Sequence, residues 1–303
     1  MLSFGVILGF AGAAFAVALP LASRWYPPEH QGTALGIAGA GNSGTAFAAL
    51  FAPTLAIMFG WQNVFGLCLI PLSIAFVVYL VFTRDAPSAP PPKSMMEYLH
   101  VLKDKDAWWF MFFYSVTFGG FSGLASSLTI YFNGQYGLSP VTAGYFTAAC
   151  VFAGSAVRPL GGRLADRIGG IKTLSMMYML AASFMLIASF GLSSAMAAVA
   201  IFVLAMLSLG VGNGAVFQLV PQRFRKEIGV MTGLVGMAGG IGGFYLASSL
   251  GYSKQLTGSY QGGLIVFAAL AIVALLGLSA VKNRWRTTSV SYTHLTLPTK
   301  RIV

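Results

Sequence analysis

The chain has 303 residues, of which 57% are hydrophobic and only 8% charged, with a mean hydropathy of +0.78. Soluble domains carry about 25% charged residues, so this composition excludes a soluble globular protein and identifies an integral membrane protein. The net charge of +11 does not mark a nucleic-acid binder, because the basic residues lie between apolar segments and no nucleic-acid motif accompanies them.

Nine apolar segments approach the length needed to span a bilayer: 1–23, 31–58, 62–83, 107–132, 139–161, 173–190, 195–221, 228–250 and 261–281. The connections between them alternate in charge. The first holds Arg24, the third Arg84, Lys93, Lys103 and Lys105, the fifth Arg163, Arg167 and Lys172, and the seventh Arg223, Arg225 and Lys226. The end after the ninth adds Lys282, Arg284 and Arg286, whereas the even-numbered connections offer only Lys254. Basic loops stay inside, so the odd connections and the C-terminus are expected to be cytoplasmic in a multi-pass protein of the cell membrane.

That orientation puts Met1 outside and implies a missing N-terminal part. No cleavable signal is evident. The stretch 84–106 is rich in Pro and charge and reads as a linker between two bundles. Residues 287–303 are polar, lack periodicity, and are expected to be a non-native tail. Cys68 and Cys150 both sit in apolar stretches and read as small hydrophobes. No acid or His falls inside a predicted span, so neither an enzyme's nucleophile–base pair nor a metal site is expected, and no cofactor.

One cation breaks the apolar pattern. Arg158 lies eight residues before Asp166, roughly 12 Å along a helix, which sets it near mid-depth of a hydrocarbon core about 30 Å thick. A charge there is costly and usually faces a cavity or partner, and its natural guest is an anion. Two glycine-rich stretches carry the other signals. Gly32, Gly36, Ala40, Gly44 and Ala48 recur every four residues, with Gly39, Gly41 and Asn42 interleaved; this predicts one small-residue helical face. Asn42 needs partners in a bilayer and its amide can donate to an oxyanion. A counterpart, TGLVGMAGGIGG, recurs at 232–243 and includes Gly236 and Gly240.

The loop GRLADRIG at 162–169 resembles the signature loop of the major facilitator superfamily, a tight turn in which Gly162, Asp166, Arg167 and Gly169 form the conformational motif. With AGAGNSGTAFAALFAPTLA (38–56), RPLGGRLADRIGG (158–170), GNGAVFQLVPQRF (212–224) and GLVGMAGGIGGF (233–244), the chain resembles the nitrate/nitrite porter family within it. The resemblance implies an all-α membrane protein of the major facilitator fold with about nine of twelve transmembrane helices present. Residues 1–83 are then the last three helices of the N-terminal bundle, and 107–286 the six-helix C-terminal bundle.

It also implies transport of nitrate and nitrite by alternating access, by a monomer in a lipid bilayer, with two membrane arginines and aromatic side chains clamping a flat anion. Arg158 matches the C-terminal arginine; the other belongs to a helix this chain lacks. The expected substrate-binding residues are Arg158, Asn42, Tyr114, Phe118, Phe15, Asn213, Gly41, Gly236 and Gly240, with Phe121 and Gln218 close by in the pattern. With no titratable group in the spans, nitrate/nitrite exchange is expected. The alternatives are proton-coupled nitrate symport or transport of another small anion.

Overall fold

The computed structural model describes residues 30–84, 100–224 and 227–293, with the isolated positions 18, 21, 25, 26 and 96. Among the described residues every regular element is a helix. In chain order these are α1 (Gln31–Gly39), a 3-10 turn (Ala40–Ser43), α2 (Gly44–Phe59), α3 (Trp61–Leu67) and α4 (Leu69–Phe82). A short 3-10 turn (His100–Lys103) then leads into α5 (Lys105–Tyr136), α6 (Pro140–Ala156), α7 (Arg158–Ile168) and α8 (Gly170–Ser189). The last three are α9 (Ala195–Arg223), α10 (Ile228–Thr257) and α11 (Gln261–Thr293).

Seven stretches among the described residues are long and apolar enough to cross a membrane: Thr33–Phe59, Trp61–Phe82, Pro140–Ile168, Gly170–Ser189, Ala195–Arg223, Ile228–Thr257 and Gln261–Asn283. They coincide with seven of the expected segments. The expected segment 107–132 forms α5, whose Gly, Ser, Thr and Asn residues dilute its hydropathy, and which is nonetheless lined with buried aromatics. Segment 1–23, apart from the isolated positions 18 and 21, lies outside the described residues. Three ends differ from expectation. α7 stays helical to Ile168, so the signature stretch turns only at Gly169. α10 runs on to Thr257, where Gly258 at φ +73 closes it in a left-handed conformation, and α11 continues to Thr293, past Arg286.

Three spans are interrupted, each for a local reason. In the first, Asn42 Nδ2 donates to the Gly39 carbonyl (3.1 Å) and the Ser43 hydroxyl to the Ala40 carbonyl. These short side chains compete with the α-helical ladder, and a tighter 3-10 turn results. In the second, Pro71 has no N–H for the Leu67 carbonyl, and α3 ends at Leu67. In the third, Pro159 cannot bond the Ser155 carbonyl, and the helix breaks at Val157 between α6 and α7.

Packing centres on α5, which lies along α10, while α9 touches α6, α7 and α8 as well as α5. Glycines allow this closeness: a Cβ on Gly119 of α5 would stand 2.6 Å from the Gly242 backbone of α10. The pair α1–α2 leans on the same body, α1 against α7 and α9, and α2 against α6. By contrast α3 and α4 contain no buried residue, and Phe65, Leu72 and Phe76 all face outward. Polar bonds at the helix ends pair the connections. Thr33, beside the first, donates from backbone and hydroxyl to Asp166 of the fifth (both 3.1 Å). Arg223, entering the seventh, pairs with Asp106 (2.8 Å) and Asp104 (3.3 Å) at the end of the third. At the opposite ends, Tyr136 Oη donates to the Leu192 carbonyl (2.9 Å).

Candidate functional site

The helix break at Val157 meets the helix break at 40–43, and Arg158 lies at the junction. Its backbone is pressed between two glycines: a Cβ on Gly36 of α1 would stand 2.7 Å from the Arg158 carbonyl oxygen, and one on Gly214 of α9 would stand 2.9 Å from the same atom. Its side chain is 2% exposed, the largest of the fully buried side chains among the described residues. Gly39 also leaves room, since a Cβ there would come within 3.3 Å of Nη1.

Arg158 Nη1 donates to the Gly39 carbonyl (2.9 Å), which also accepts from Asn42. The 3-10 turn therefore supplies a backbone acceptor for both. The guanidinium carbon lies 4.7 Å from the centre of the Phe121 ring and 5.3 Å from that of Phe118, a cation–π arrangement. Its other edge is empty-handed: Nε and Nη2 have no hydrogen-bond partner among the described residues, and no carboxylate there approaches them. Those two N–H groups form one side-on fork, matched to two oxygens of a planar anion. A buried charge without a counter-ion costs on the order of several kcal/mol.

Further unpartnered polar groups gather nearby. Tyr114 stacks flat on Phe118 (5.1 Å between centroids) and meets Phe217 edge-on at 4.8 Å, while its hydroxyl has no partner among the described residues. Gly239 of α10 makes room for this pair; a Cβ there would lie 2.7 Å from Phe118 and 2.8 Å from Tyr114. Asn213 stands one turn before Phe217 on α9, is 1% exposed, and neither of its amide atoms has a partner among the described residues. Buried donors are normally satisfied, and among the described residues these are not. Among the described residues no group of three or more His, Cys, Asp or Glu is arranged to hold a metal.

Comparisons with known proteins agree with this architecture. Residues 1–247 match the model of the Major Facilitator Superfamily. The chain is 32% identical to the nitrite extrusion protein of Bacillus subtilis over 91% of this chain and 69% of that protein. It is 35% identical to the probable nitrate transporter NarT of Staphylococcus carnosus over 92% of this chain and 72% of that one. The chain belongs to the Major Facilitator Superfamily, within its nitrate/nitrite porter family. In fold the chain is similar to FucP, a Major Facilitator Superfamily transporter solved in an outward conformation, at a TM-score of 0.65 and 16% identity, covering 88% of this chain and 72% of that one.

In this superfamily member the residues singled out by sequence separate into three groups. Arg158, Asn42, Tyr114 and Phe118 converge on the junction, and Asn213 lies on the α9 face that meets Tyr114. Gly41 and Gly240 are exposed, and a Cβ on either would meet nothing within 4 Å; Gly236 is half-buried. Phe15 lies outside the described residues. In the signature loop, Gly162 is buried against α9, where a Cβ on Gly214 would stand 2.6 Å from its nitrogen. Asp166 caps the start of α1 by accepting from the orphan Thr33 N–H, Arg167 is exposed in the last turn of α7, and Gly169 ends it at φ +93. Gln218 packs against the Gly169–Gly170 turn and lines a cavity of about 390 Å³ with Asp166, Lys172 and Gln222. Two contributors had no sequence signal of their own: the Gly39 carbonyl, and Gly214 beneath the Arg158 backbone.

Proposed function

We propose that this protein moves nitrate and nitrite across the cell membrane by alternating access, exchanging one for the other, with the basic connections on the cytoplasmic side. The observation that carries the reading is the Nε/Nη2 edge of the buried Arg158, without a hydrogen-bond partner among the described residues and walled by Phe118 and Phe121. Nitrate is planar, monovalent and weakly hydrated, so it suits a bidentate guanidinium between aromatic faces. The names of the relatives, one a nitrite extrusion protein and one a probable nitrate transporter, support the same anions. On this reading residues 1–83 belong to one bundle and 107–286 to the other, joined by the linker 84–106. The Arg158–Gly39 bond then crosses between them, where rocking would make and break it.

Exchange is favoured because a proton carrier needs a titratable group in the pathway, and the described spans hold no acid or His except Asp166, in the last turn of its span and bonded to Thr33. The full-length protein in vesicles tests this. Nitrate uptake is expected only when nitrite or nitrate is loaded inside. Uptake driven by a pH gradient into anion-free vesicles would replace exchange with symport.

A further inference from the structure

Ser155 is fully buried, 0% exposed, and its hydroxyl has no hydrogen-bond partner among the described residues. Other hydroxyls in the same body donate to a carbonyl one turn back: Thr117 to Phe113, Thr147 to Ala143, Thr173 to Gly169, Ser208 to Leu204 and Thr232 to Ile228. A helical serine ordinarily satisfies itself this way, and a buried hydroxyl left without a partner is disfavoured. Ser155 departs from the pattern in the last turn of α6, one turn before Arg158, at the break Pro159 imposes.

The anions differ in their acceptors. The Nε/Nη2 fork of Arg158 engages two oxygens, which is all that nitrite has. Nitrate presents a third in the same plane, which a further donor close to the arginine can hold. We propose that Ser155 is a substrate-contacting, specificity-determining residue whose hydroxyl donates to the third oxygen of nitrate and so favours nitrate over nitrite. The proposal rests on the anion reading above.

Binding of nitrate and of nitrite to the full-length protein in lipid nanodiscs tests it, with wild type, Ser155→Ala and Ser155→Thr, and with the melting temperature of each anion-free protein as a second readout. Ser155→Ala is expected to weaken nitrate by about 3- to 10-fold, the loss of one neutral hydrogen bond, and to leave nitrite within about twofold. The anion-free Ala variant should melt no lower than wild type, because no internal bond is lost, and Ser155→Thr should keep the nitrate preference. Equal weakening of both anions, no weakening of either, or a lower melting point for Ser155→Ala would overturn the proposal. Should Ser155→Thr fail to fold, the nitrate-to-nitrite ratio of Ser155→Ala decides alone. Wild type that binds neither anion would instead reject the anion reading itself.

Discussion

Residues 32–48 and 232–243 are both glycine-rich, yet the first breaks into a 3-10 turn while the second stays inside one helix, α10. The difference lies in what accompanies the glycines. Asn42 and Ser43 reach back to carbonyls of their own turn and pull the ladder apart. In the second stretch Thr232 returns its hydroxyl to the Ile228 carbonyl without breaking the helix. The two then serve different ends. The first presents the Gly39 carbonyl to Arg158, and the second lets α10 close on α5 and leaves room for Tyr114 and Phe118. Glycine permits both outcomes, and the polar neighbours choose between them.

The largest effect should come from removing the group the first stretch serves. Arg158→Met is expected to cost more than about hundredfold in nitrate affinity, since two charge-assisted hydrogen bonds go. It should also raise the melting temperature of the anion-free protein by roughly 2–5 °C, because an uncompensated buried charge is gone. Binding and thermal melts read the two outcomes, and a lower melting point would mean the guanidinium is structural.

Gly242→Ala comes next. Its Cβ would collide with the Ser115 backbone, so stability should fall by about 1–3 kcal/mol, measurable by thermal unfolding. A neutral result would show that α5 and α10 have slack. Asn42→Leu attacks the first stretch, removing the amide that competes for the Gly39 carbonyl. Amide exchange across 40–44 should slow as the turn regains α-helical bonds, with a stability change of about 1 kcal/mol; unchanged exchange would assign the break to the glycines alone. The smallest effect is expected at Gly240, where an added Cβ meets open space. Gly240→Ala should gain up to about 1 kcal/mol from helix propensity and leave nitrate affinity unchanged. Weaker binding there would place the second stretch against the anion.

How far the molecule could be read from its sequence follows from what leaves a compositional trace. Apolar runs located seven described spans because hydrophobicity is additive along a helix. α5 is legible as a segment although its Gly and Ser content dilutes its hydropathy, and its burial comes from tertiary contacts. Arg158 stood out as a charge in an apolar run. Its Gly39 partner did not, because every residue carries a carbonyl and only the 3-10 turn frees this one. The four-residue glycine spacing predicted a continuous helix and concealed the break, since spacing says nothing of side chains that bond their own backbone. Ser155 was invisible for the converse reason: a serine in a helix is ordinary, and only a hydroxyl that fails to bond back distinguishes it.

The central claim is that Arg158 holds a planar oxyanion through its Nε/Nη2 edge. Calorimetric titration of nitrate into the full-length protein and its Arg158→Lys variant tests that most directly, because Lys keeps the charge and loses the fork. The account predicts at least about tenfold weaker binding in the variant. Equal affinity in the two proteins would contradict it.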